Sequence, residues 1–350
     1  MSLSTGKIDL KRWVPILTVL VALIGLVFIV ADWDRIWKAL SQATWGPLPF
    51  ALAATLISYA CISFSFAQVS RLLGVEMHTK DLVTVGFVSS VLNHLVLSGG
   101  AAGYSVRFML MNRHGVSLRE VFAISILHFL LTGLWMVMTL PVGLAYLGAS
   151  ASLGGPTAML LVASASVVSV GTLLATGLAF WGKLRRRAIR LLTKAARRLV
   201  RRDIEEPLAR FDATMELGVQ AMRQEPASML IIASLIVVDW AFSAATLWLC
   251  FRAFEVTLTP GQLLSGFVIG TVAGVASLLP GGLGIQEVSM TGIFALLGIT
   301  LEKAVVAAVL YRVVYSIIPY LVSLGFYRLA LRQEDNSQST QEAEYENPYA

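Results

Sequence analysis

Long apolar runs separated by short polar segments dominate this chain. Five of the runs are close to, or longer than, the roughly 20 residues with which a helix spans the hydrocarbon core of a bilayer. They are 14–31, 47–69, 121–148, 157–181 and 227–251. A sixth, at about 304–331, has the same character. The pattern predicts an all-α, polytopic integral membrane protein.

Two further apolar blocks, 82–111 and 262–300, are each interrupted by glycine. The first is broken at 98–103, which reads Ser-Gly-Gly-Ala-Ala-Gly, and the second at 280–284, which reads Pro-Gly-Gly-Leu-Gly. Non-helical backbone at membrane depth is tolerated only where it is buried in protein or faces a watery cavity. We therefore expect each block to enter the membrane and return to the same side as a re-entrant helical hairpin.

The distribution of basic residues predicts the orientation. Lys and Arg are concentrated in 183–202, and cytoplasmic loops are enriched in these residues. Lys7, Lys11 and Arg12 place the N-terminus on the same side. When both broken blocks are drawn as hairpins, every basic cluster and both termini are cytoplasmic. The predicted topology has about six full spans plus two hairpins that enter from opposite sides of the cytoplasmic (inner) membrane.

In this topology a helix, a broken hairpin and a second helix occur twice with opposite orientation. This is the pattern of an inverted repeat, which in transporters places the substrate where the broken segments meet. We assign 1–331 to one membrane domain and 332–350 to a polar, disordered cytoplasmic tail.

Within the membrane domain, 182–226 is predicted to be a cytoplasmic basic amphipathic segment. In 183–202 the apolar residues fall on one face of a helix and the basic residues on the other. Such a helix is typical of one that lies on anionic lipid. The alternative is a cytoplasmic linker that only follows the charge bias of cytoplasmic loops.

Composition narrows the function. The 350 residues are 57% hydrophobic and 14% charged, against about a quarter charged in soluble domains. The net charge of +6 is concentrated in one segment and does not indicate nucleic-acid binding. The chain has no GxxxxGK[ST], G-x-S-x-G or HExxH motif and no metal-ligand spacing. We therefore predict a transporter that needs no cofactor or metal, and not an enzyme.

The two glycine breaks are the first candidate for a binding site. Each precedes a short helical piece, which we expect to begin at Tyr104 and Ile285. Two helix N-termini that face each other, with free N–H groups and positive dipole ends, form an anion site. The alternative is that these glycines serve close helix packing. The candidate substrate-binding residues of the breaks are Gly99, Gly100, Gly103, Pro280, Gly281, Gly282 and Gly284.

Ionisable residues within apolar surroundings are the second candidate, because charge at membrane depth is costly and usually pairs or lines a path. Arg107 and Arg312 suit a phosphate, although Arg107 is also placed to snorkel. Glu287 either belongs to the binding site or satisfies the first turn of its helix. Asp239 is a charge partner for Arg312 or handles protons. His94 either handles protons or is a satisfied polar group.

The broken segments resemble conserved blocks of one family. The matching elements are Asn93, 98–104, Arg107 and 113–116 in the first block, 279–287 in the second, and Arg312 with Pro319 in the last helix. The sequence of 279–287 is Leu-Pro-Gly-Gly-Leu-Gly-Ile-Gln-Glu. These elements resemble the lysylphosphatidylglycerol synthase transmembrane-region, or flippase-like, family over roughly 13–331.

The resemblance implies translocation of lipid. Some members of that family, such as the bacterial multiple peptide resistance factor, carry an aminoacyl-transferase domain after the membrane part. The present chain is expected to lack it. We predict a flippase for an anionic lipid or lipid-linked headgroup. The alternative is a non-catalytic membrane subunit that anchors or regulates a separate lipid- or glycan-modifying enzyme, with 183–202 as its docking surface.

Overall fold

The protein is helical throughout the residues that the computed structural model describes. These are 33–95, 101–150, isolated positions between 159 and 180, 181–199, 205–277 and 282–325. The predicted span 14–31, most of the predicted span 157–181, the break residues Gly99, Gly100, Pro280 and Gly281, and the tail 332–350 lie outside the described residues. The predicted all-α class is confirmed.

Four of the described helices are long and apolar enough to cross a membrane, judged by length and composition, namely α2, α5, α8 and α11. In chain order the helices are α1 Trp33–Ser41, α2 Leu48–Leu72, α3 Thr79–Leu95, α4 Ala101–Asn112, α5 Leu118–Ser150, α6 Gly182–Leu199, α7 Glu205–Gln224, α8 Pro226–Ala253, α9 Pro260–Ala276, α10 Ile285–Leu296 and α11 Leu301–Gly325. Large apolar side chains on the long helices face outward, including Phe129, Leu230 and Leu321. The chain is a multi-pass membrane protein.

The two broken blocks form hairpins of matching length. Helices α3 and α4 pack against each other, as do α9 and α10. In each hairpin the first arm has 17 residues and the second has 12. A 12-residue helix is about 18 Å long, which is well short of the roughly 30 Å hydrocarbon core. These lengths fit re-entrant arms, while the opposite entry of the two hairpins and the number of spans remain predictions.

Each hairpin lies between two long helices, so the order long helix, hairpin, long helix occurs in α2–α5 and again in α8–α11. The leading helices of the two halves, α2 and α8, pack against each other. Helix α9 of the second hairpin packs on α5, and a turn of α11 packs on α2 and α3. One buried apolar cluster, which includes Tyr59, Phe251 and Phe294, joins the two halves.

Glycine permits the close approach of the two arms of the second hairpin. Three glycines on α9 are spaced four residues apart and face α10, so that a Cβ atom at any of them would collide with a side chain of the opposite arm. The pairs are Gly266 with Phe294, Gly270 with Met290 and Gly274 with Gln286. These three glycines have the packing role that small residues commonly have in membrane helices.

The last long helix is interrupted by a π-helical turn at Val313–Ile317. Pro319 has no N–H group, so the carbonyl of Tyr315, four residues earlier, lacks its usual helical donor. The phenol of Tyr59 donates to that carbonyl at 3.0 Å. Arg312 immediately precedes the turn. Its position is therefore held by local backbone geometry that Pro319 and Tyr59 impose.

Helices α6 and α7 form a further hairpin that is held by a buried arginine. Arg185, only 3% exposed, donates from Nε to Asp212 Oδ1 at 2.5 Å and from Nη2 to Glu216 Oε2 at 2.7 Å. Leu191 and Leu192 remain 68% and 55% exposed. The predicted amphipathic helix is thus attached to its successor by one of its basic residues.

We expect Arg185→Ala to loosen the α6–α7 hairpin. The substitution leaves Asp212 and Glu216 without their cation, which should cost about 1–3 kcal/mol because both carboxylates are partly exposed and can rehydrate. Cleavage of this segment by chymotrypsin in detergent should become faster. Arg187→Ala, which removes an exposed arginine from the same helix, is the matched control. Equal cleavage rates for the two variants would contradict the structural role of Arg185.

Candidate functional site

One buried guanidinium group connects the end of α3 in the first hairpin with the start of α10 in the second. Arg312 is 8% exposed. Its Nε donates to Glu287 Oε1, its Nη2 to Gln286 Oε1 at 3.0 Å, and its Nη1 to the main-chain oxygen of His94 at 3.5 Å. His94 is next to the last residue of α3, and Glu287 is in the first turn of α10. Three predicted site residues, His94, Glu287 and Arg312, therefore lie together.

Glu287 satisfies the first turn of its helix, which is one of the two alternatives predicted for it, and it also pairs with Arg312. Its Oε1 accepts from Arg312, and its Oε2 accepts from the main-chain N–H of Gly284 at 2.7 Å. The second contact satisfies one of the free N–H groups at the start of α10, which begins at Ile285 as predicted. Glu287 is thus a helix cap and the ion-pair partner of Arg312 at the same time.

The turn before α10 requires glycine for two separate reasons. Gly282 and Gly284 have φ angles of +64° and +82°, in the left-handed region that residues with a Cβ atom rarely adopt. A Cβ atom on Gly282 would also lie 2.8 Å from the Cα of Gly274 on the other arm. Here glycine serves both the turn and the packing of the two arms.

The first hairpin is capped in a similar way by an amide. Helix α4 begins at Ala101, earlier than the predicted Tyr104, and the two alanines at its start are strong helix formers. The main-chain N–H of Gly103, in the first turn, donates to Asn93 Oδ1 on the opposite arm at 3.0 Å. A Cβ atom on Gly103 would collide with that amide. In both hairpins a side-chain oxygen therefore caps the start of the second arm.

Arg107 is buried and does not snorkel. It is 5% exposed, its Nε donates to Ser89 Oγ at 2.9 Å, and its guanidinium carbon lies 4.4 Å from the ring centroid of Phe66. Its contacts and those of Arg312 do not overlap in the described part of the chain. The reason is that Arg107 lies six residues after Ala101, about 9 Å along α4 from the start of that helix. That Arg107 and Arg312 bind a phosphate stays a prediction.

Asp239 lies at the α2–α8 interface. It is 7% exposed, and its Oδ1 accepts from Ser58 Oγ at 2.5 Å. Ser58 Oγ is also hydrogen bonded to the phenol of Tyr315 at 2.9 Å. Asp239 was predicted either to pair with Arg312 or to handle protons. These contacts do not show the pairing, because the carboxylate that forms an ion pair with Arg312 is that of Glu287.

The ring of His94 packs between aromatic side chains. It meets Tyr59 and Tyr315 edge-on, with centroid distances of 5.8 and 5.5 Å. Its Nδ1 is 2.8 Å from the main-chain oxygen of Ser90, which can only accept, so Nδ1 carries a proton. This contact is the one expected of a satisfied polar group, and the proton-handling role of His94 stays a prediction.

Sequence reasoning missed the hydroxyl groups that surround these residues, among them Ser58, Ser89 and Tyr315. A signal was present, because α2 is an apolar helix that carries many hydroxyl side chains, and a span rarely buries such groups without a partner. The fully or almost fully buried ones are Thr55, Ser58, Tyr59, Ser63, Ser65 and Ser70.

Long apolar helices, two short broken hairpins and a buried arginine between the hairpin turns define an all-α multi-pass membrane protein with paired broken hairpins. The family model described as the lysylphosphatidylglycerol synthase TM region matches residues 15–323. The chain belongs to this family, which confirms the resemblance found in the sequence.

Relatives differ in how much of the chain they cover. Inner membrane protein YbhN of Escherichia coli strain K12 is 22% identical over 333 residues, which are 92% of this chain and 93% of that protein. Phosphatidylglycerol lysyltransferase of Staphylococcus aureus strain MRSA252 is 29% identical over 87 residues, covering 25% of this chain and 10% of the lysyltransferase. A UPF0104 membrane protein of Methanothermobacter thermautotrophicus is 32% identical over 85 residues, 24% of each chain. The chain thus aligns with only a small part of the last two.

Proposed function

We propose that this protein translocates an anionic lipid, or an anionic lipid-linked headgroup, across the cytoplasmic membrane. The observation that carries the proposal is the position of Arg312. A buried cation bonds the end of α3 and the start of α10, and transporters with broken helices bind their substrates where two such segments meet. Both termini and the α6–α7 hairpin are on the cytoplasmic side in this proposal.

The ion pair of Arg312 and Glu287 suggests how a headgroup binds. A guanidinium group pairs with carboxylate and phosphate in the same bidentate geometry. A phosphate that reaches the hairpin turns can therefore replace Glu287 on Arg312. Glu287 keeps its bond to the N–H of Gly284 during this exchange. The positive charge of Arg312 is neutralised by Glu287 before the lipid arrives and by the phosphate afterwards.

Arg107 contributes a second cation on the path of the headgroup, about 9 Å along α4 from the start of that helix. Its Nε is occupied by Ser89, while its two terminal nitrogens have no hydrogen-bond partner among the described residues. Those N–H groups are available to a phosphate that moves between the first hairpin and α2. The acyl or prenyl chains remain in the bilayer, so that the protein has to shield only the headgroup.

The family model that matches the chain describes the transmembrane region of lysylphosphatidylglycerol synthase. The match therefore supports transport more than the transfer of a chemical group. The exposed face of α6 supports a membrane location for the basic segment. Arg186, Arg187 and Arg190 are exposed beside the exposed Leu191 and Leu192. This combination fits a helix that lies on anionic headgroups at the cytoplasmic surface.

Translocation in proteoliposomes tests the proposal. Purified full-length protein would be reconstituted with headgroup-labelled phosphatidylglycerol, phosphatidylethanolamine or a polyprenyl phosphate, and the label in the outer leaflet would be bleached by a membrane-impermeant reductant. We expect the protein to move at least one anionic probe faster than protein-free vesicles do. A label on the amine of phosphatidylethanolamine makes this probe anionic as well, so phosphatidylcholine labelled on an acyl chain is the net-neutral probe that reports whether the negative charge matters.

The rival function makes a different prediction in the same experiment. A subunit that only anchors or regulates a lipid- or glycan-modifying enzyme would move none of the probes although it is folded. Charge reversal of the exposed arginines on α6 would then abolish recovery of the partner enzyme from membranes. Movement of an anionic probe by the isolated protein excludes the purely anchoring role.

A further inference from the structure

A carboxylate in the middle of a membrane span is connected by hydroxyl groups to the helix that carries Arg312. Asp239 lies 13 residues after the start of α8 and 14 before its end, about 20 Å from either. Its partner Ser58 is on α2, and Ser58 is in turn hydrogen bonded to Tyr315 on α11. Asp239 is thus the end of a short polar chain that joins three long helices.

The direction of the hydrogen bonds in this chain depends on the protonation state of Asp239. A serine hydroxyl has only one proton to donate. When Asp239 is ionised, Ser58 donates that proton to the carboxylate, so Tyr315 must donate to Ser58. When Asp239 is protonated at Oδ1, its own O–H donates to Ser58, and Ser58 donates to Tyr315. Binding of a proton at this oxygen therefore reverses both bonds.

The reversal acts on the turn that positions Arg312. Tyr315 lies in the π-helical turn directly after Arg312, its main-chain oxygen is held by Tyr59, and its ring stacks on Tyr311 with a centroid distance of 5.2 Å. The π-helical turn is a local departure from α-helical geometry, and such turns are frequent at functional sites. A change at the phenol of Tyr315 is therefore transmitted to the residue that holds the hairpin turns.

The surroundings of Asp239 contain no second carboxylate in the described part of the chain. The ionisable side chains on which its charge acts are Tyr59 and Cys61 of α2, Tyr311 of α11 and Tyr315. Arg312 is the cation that acts on Tyr59 and Tyr311. Helices α5, α7 and α9 also pack on α8. Among the described residues, the side chain that acts on Asp239 is Ser58.

A row of hydroxyl groups extends from Asp239 along the same helix. Ser243 and Thr246 follow Asp239 at helical spacing, and all three side chains are buried. Ser243 Oγ lies 3.0 Å from the phenol of Tyr311, and Thr246 Oγ1 lies 3.2 Å from Thr55 Oγ1 on α2. The row therefore extends the polar surroundings of Asp239 along the contacts of α8 with α11 and α2.

We propose that Asp239 is a proton-binding site that couples the movement of lipid to the proton gradient, with Ser58 and Tyr315 transmitting its protonation state to Arg312. This inference rests on the proposed function, because it names the ion that drives the same transport site. The cycle needs no other chemistry: the carboxylate takes up a proton from one side of the membrane, becomes a neutral acid, and returns to the carboxylate on release to the other side.

Infrared difference spectroscopy tests the proton site without any lipid substrate. Full-length protein in detergent would be compared in acidic and alkaline buffer. We expect a carboxylic-acid C=O band that appears on acidification and is absent from Asp239→Asn, in which the amide keeps the size and the hydrogen-bond acceptor of the acid. Glu287→Gln is the control and should retain the band. If Asp239→Asn still shows the band on acidification, the proposal is overturned.

Proteoliposomes with an imposed pH gradient test the coupling. Labelled phosphatidylglycerol should move faster in wild-type protein when the gradient is applied. Asp239→Asn should still exchange the lipid between leaflets but should no longer respond to the gradient. Ser58→Ala, which breaks the connection but leaves the acid, should shift the pH at which the rate changes. A wild-type gradient response that Asp239→Asn retains would overturn the proposal.

The two proposals fail in different ways. If the proposed function is wrong, the wild-type protein moves no lipid under any condition, while the infrared band of Asp239 still reports proton binding. If only the coupling is wrong, the wild-type protein moves lipid at a rate that ignores the gradient. A fluorescence melting curve of each variant shows that both results come from folded protein.

Discussion

Arg312→Ala is expected to reduce the translocation of labelled anionic lipid to the level of protein-free vesicles. The substitution removes the group that bonds both the end of α3 and the start of α10, and with it the positive charge that a phosphate would pair with. Headgroup-labelled phosphatidylglycerol in proteoliposomes is the measurement. Arg312→Lys should restore part of the rate at most, because an ammonium group keeps the charge but not the planar, bidentate geometry.

The effect of Arg312→Ala has to be separated from unfolding. Removing one partner of a buried ion pair costs about 3–5 kcal/mol, since the remaining charge has no partner. Arg312→Ala combined with Glu287→Gln leaves no uncompensated carboxylate and keeps an acceptor for the N–H of Gly284. The double variant should regain stability without regaining transport.

Arg252→Ala is the matched control for Arg312→Ala. Arg252 is exposed at the end of α8, where it donates to Thr257 Oγ1 at 2.8 Å and lies 5.9 Å from the ring of Trp248. Its removal should leave the transport rate close to that of the wild type. Wild-type transport by the folded Arg312→Ala variant would show that the hairpin turns are not the binding site.

Gly282→Ala is expected to be the most destabilising of the glycine-to-alanine changes in the second hairpin. Its positive φ angle alone costs an alanine about 1–2 kcal/mol. The Cβ atom would in addition meet the backbone of Gly274, which cannot rotate away, and overpacking of this kind typically adds about 1–3 kcal/mol. The temperature of unfolding in detergent is the measurement.

Gly298→Ala separates these two contributions. Gly298 follows α10 with a φ angle of +89°, and a Cβ atom there would have no other atom within 4 Å. Its alanine variant therefore carries the conformational cost without the collision. Gly282→Ala should unfold at a clearly lower temperature than Gly298→Ala, and equal unfolding temperatures would refute the close contact with Gly274.

The sequence was sufficient to predict the helical class, the two broken hairpins and the start of α10 at Ile285. These features follow from apolar length and from glycine and proline, which act locally. The sequence did not show that Arg312 pairs with Glu287 and not with Asp239. Arg312 and Glu287 are 25 residues apart, and both belong to apolar stretches. Hydropathy can show that a buried charge needs a partner, but it cannot show which one.

The hydrogen bonds that connect Asp239, Ser58 and Tyr315 could not be predicted from the sequence, for a different physical reason. Its members come from α2, α8 and α11, and a serine in a membrane helix can satisfy its own hydroxyl by bonding to a carbonyl in the preceding turn, as Ser63 and Ser70 do. Only the packing of the three helices distinguishes Ser58, which bonds across the interface. The sequence shows that Pro319 leaves the carbonyl of Tyr315 without its helical donor. Only the structure shows that Tyr59 donates to this carbonyl instead.

The three packed glycines of α9 have a mechanical consequence. Because Gly266, Gly270 and Gly274 each receive a side chain of α10, we expect the two arms to resist sliding past one another and the second hairpin to behave as a rigid body. In the proposed transport, a change of access from one side of the membrane to the other would then rotate this hairpin as a unit. The hinges would be the loops 254–259 and 297–300, where Glu255 and Gly298 already have positive φ angles.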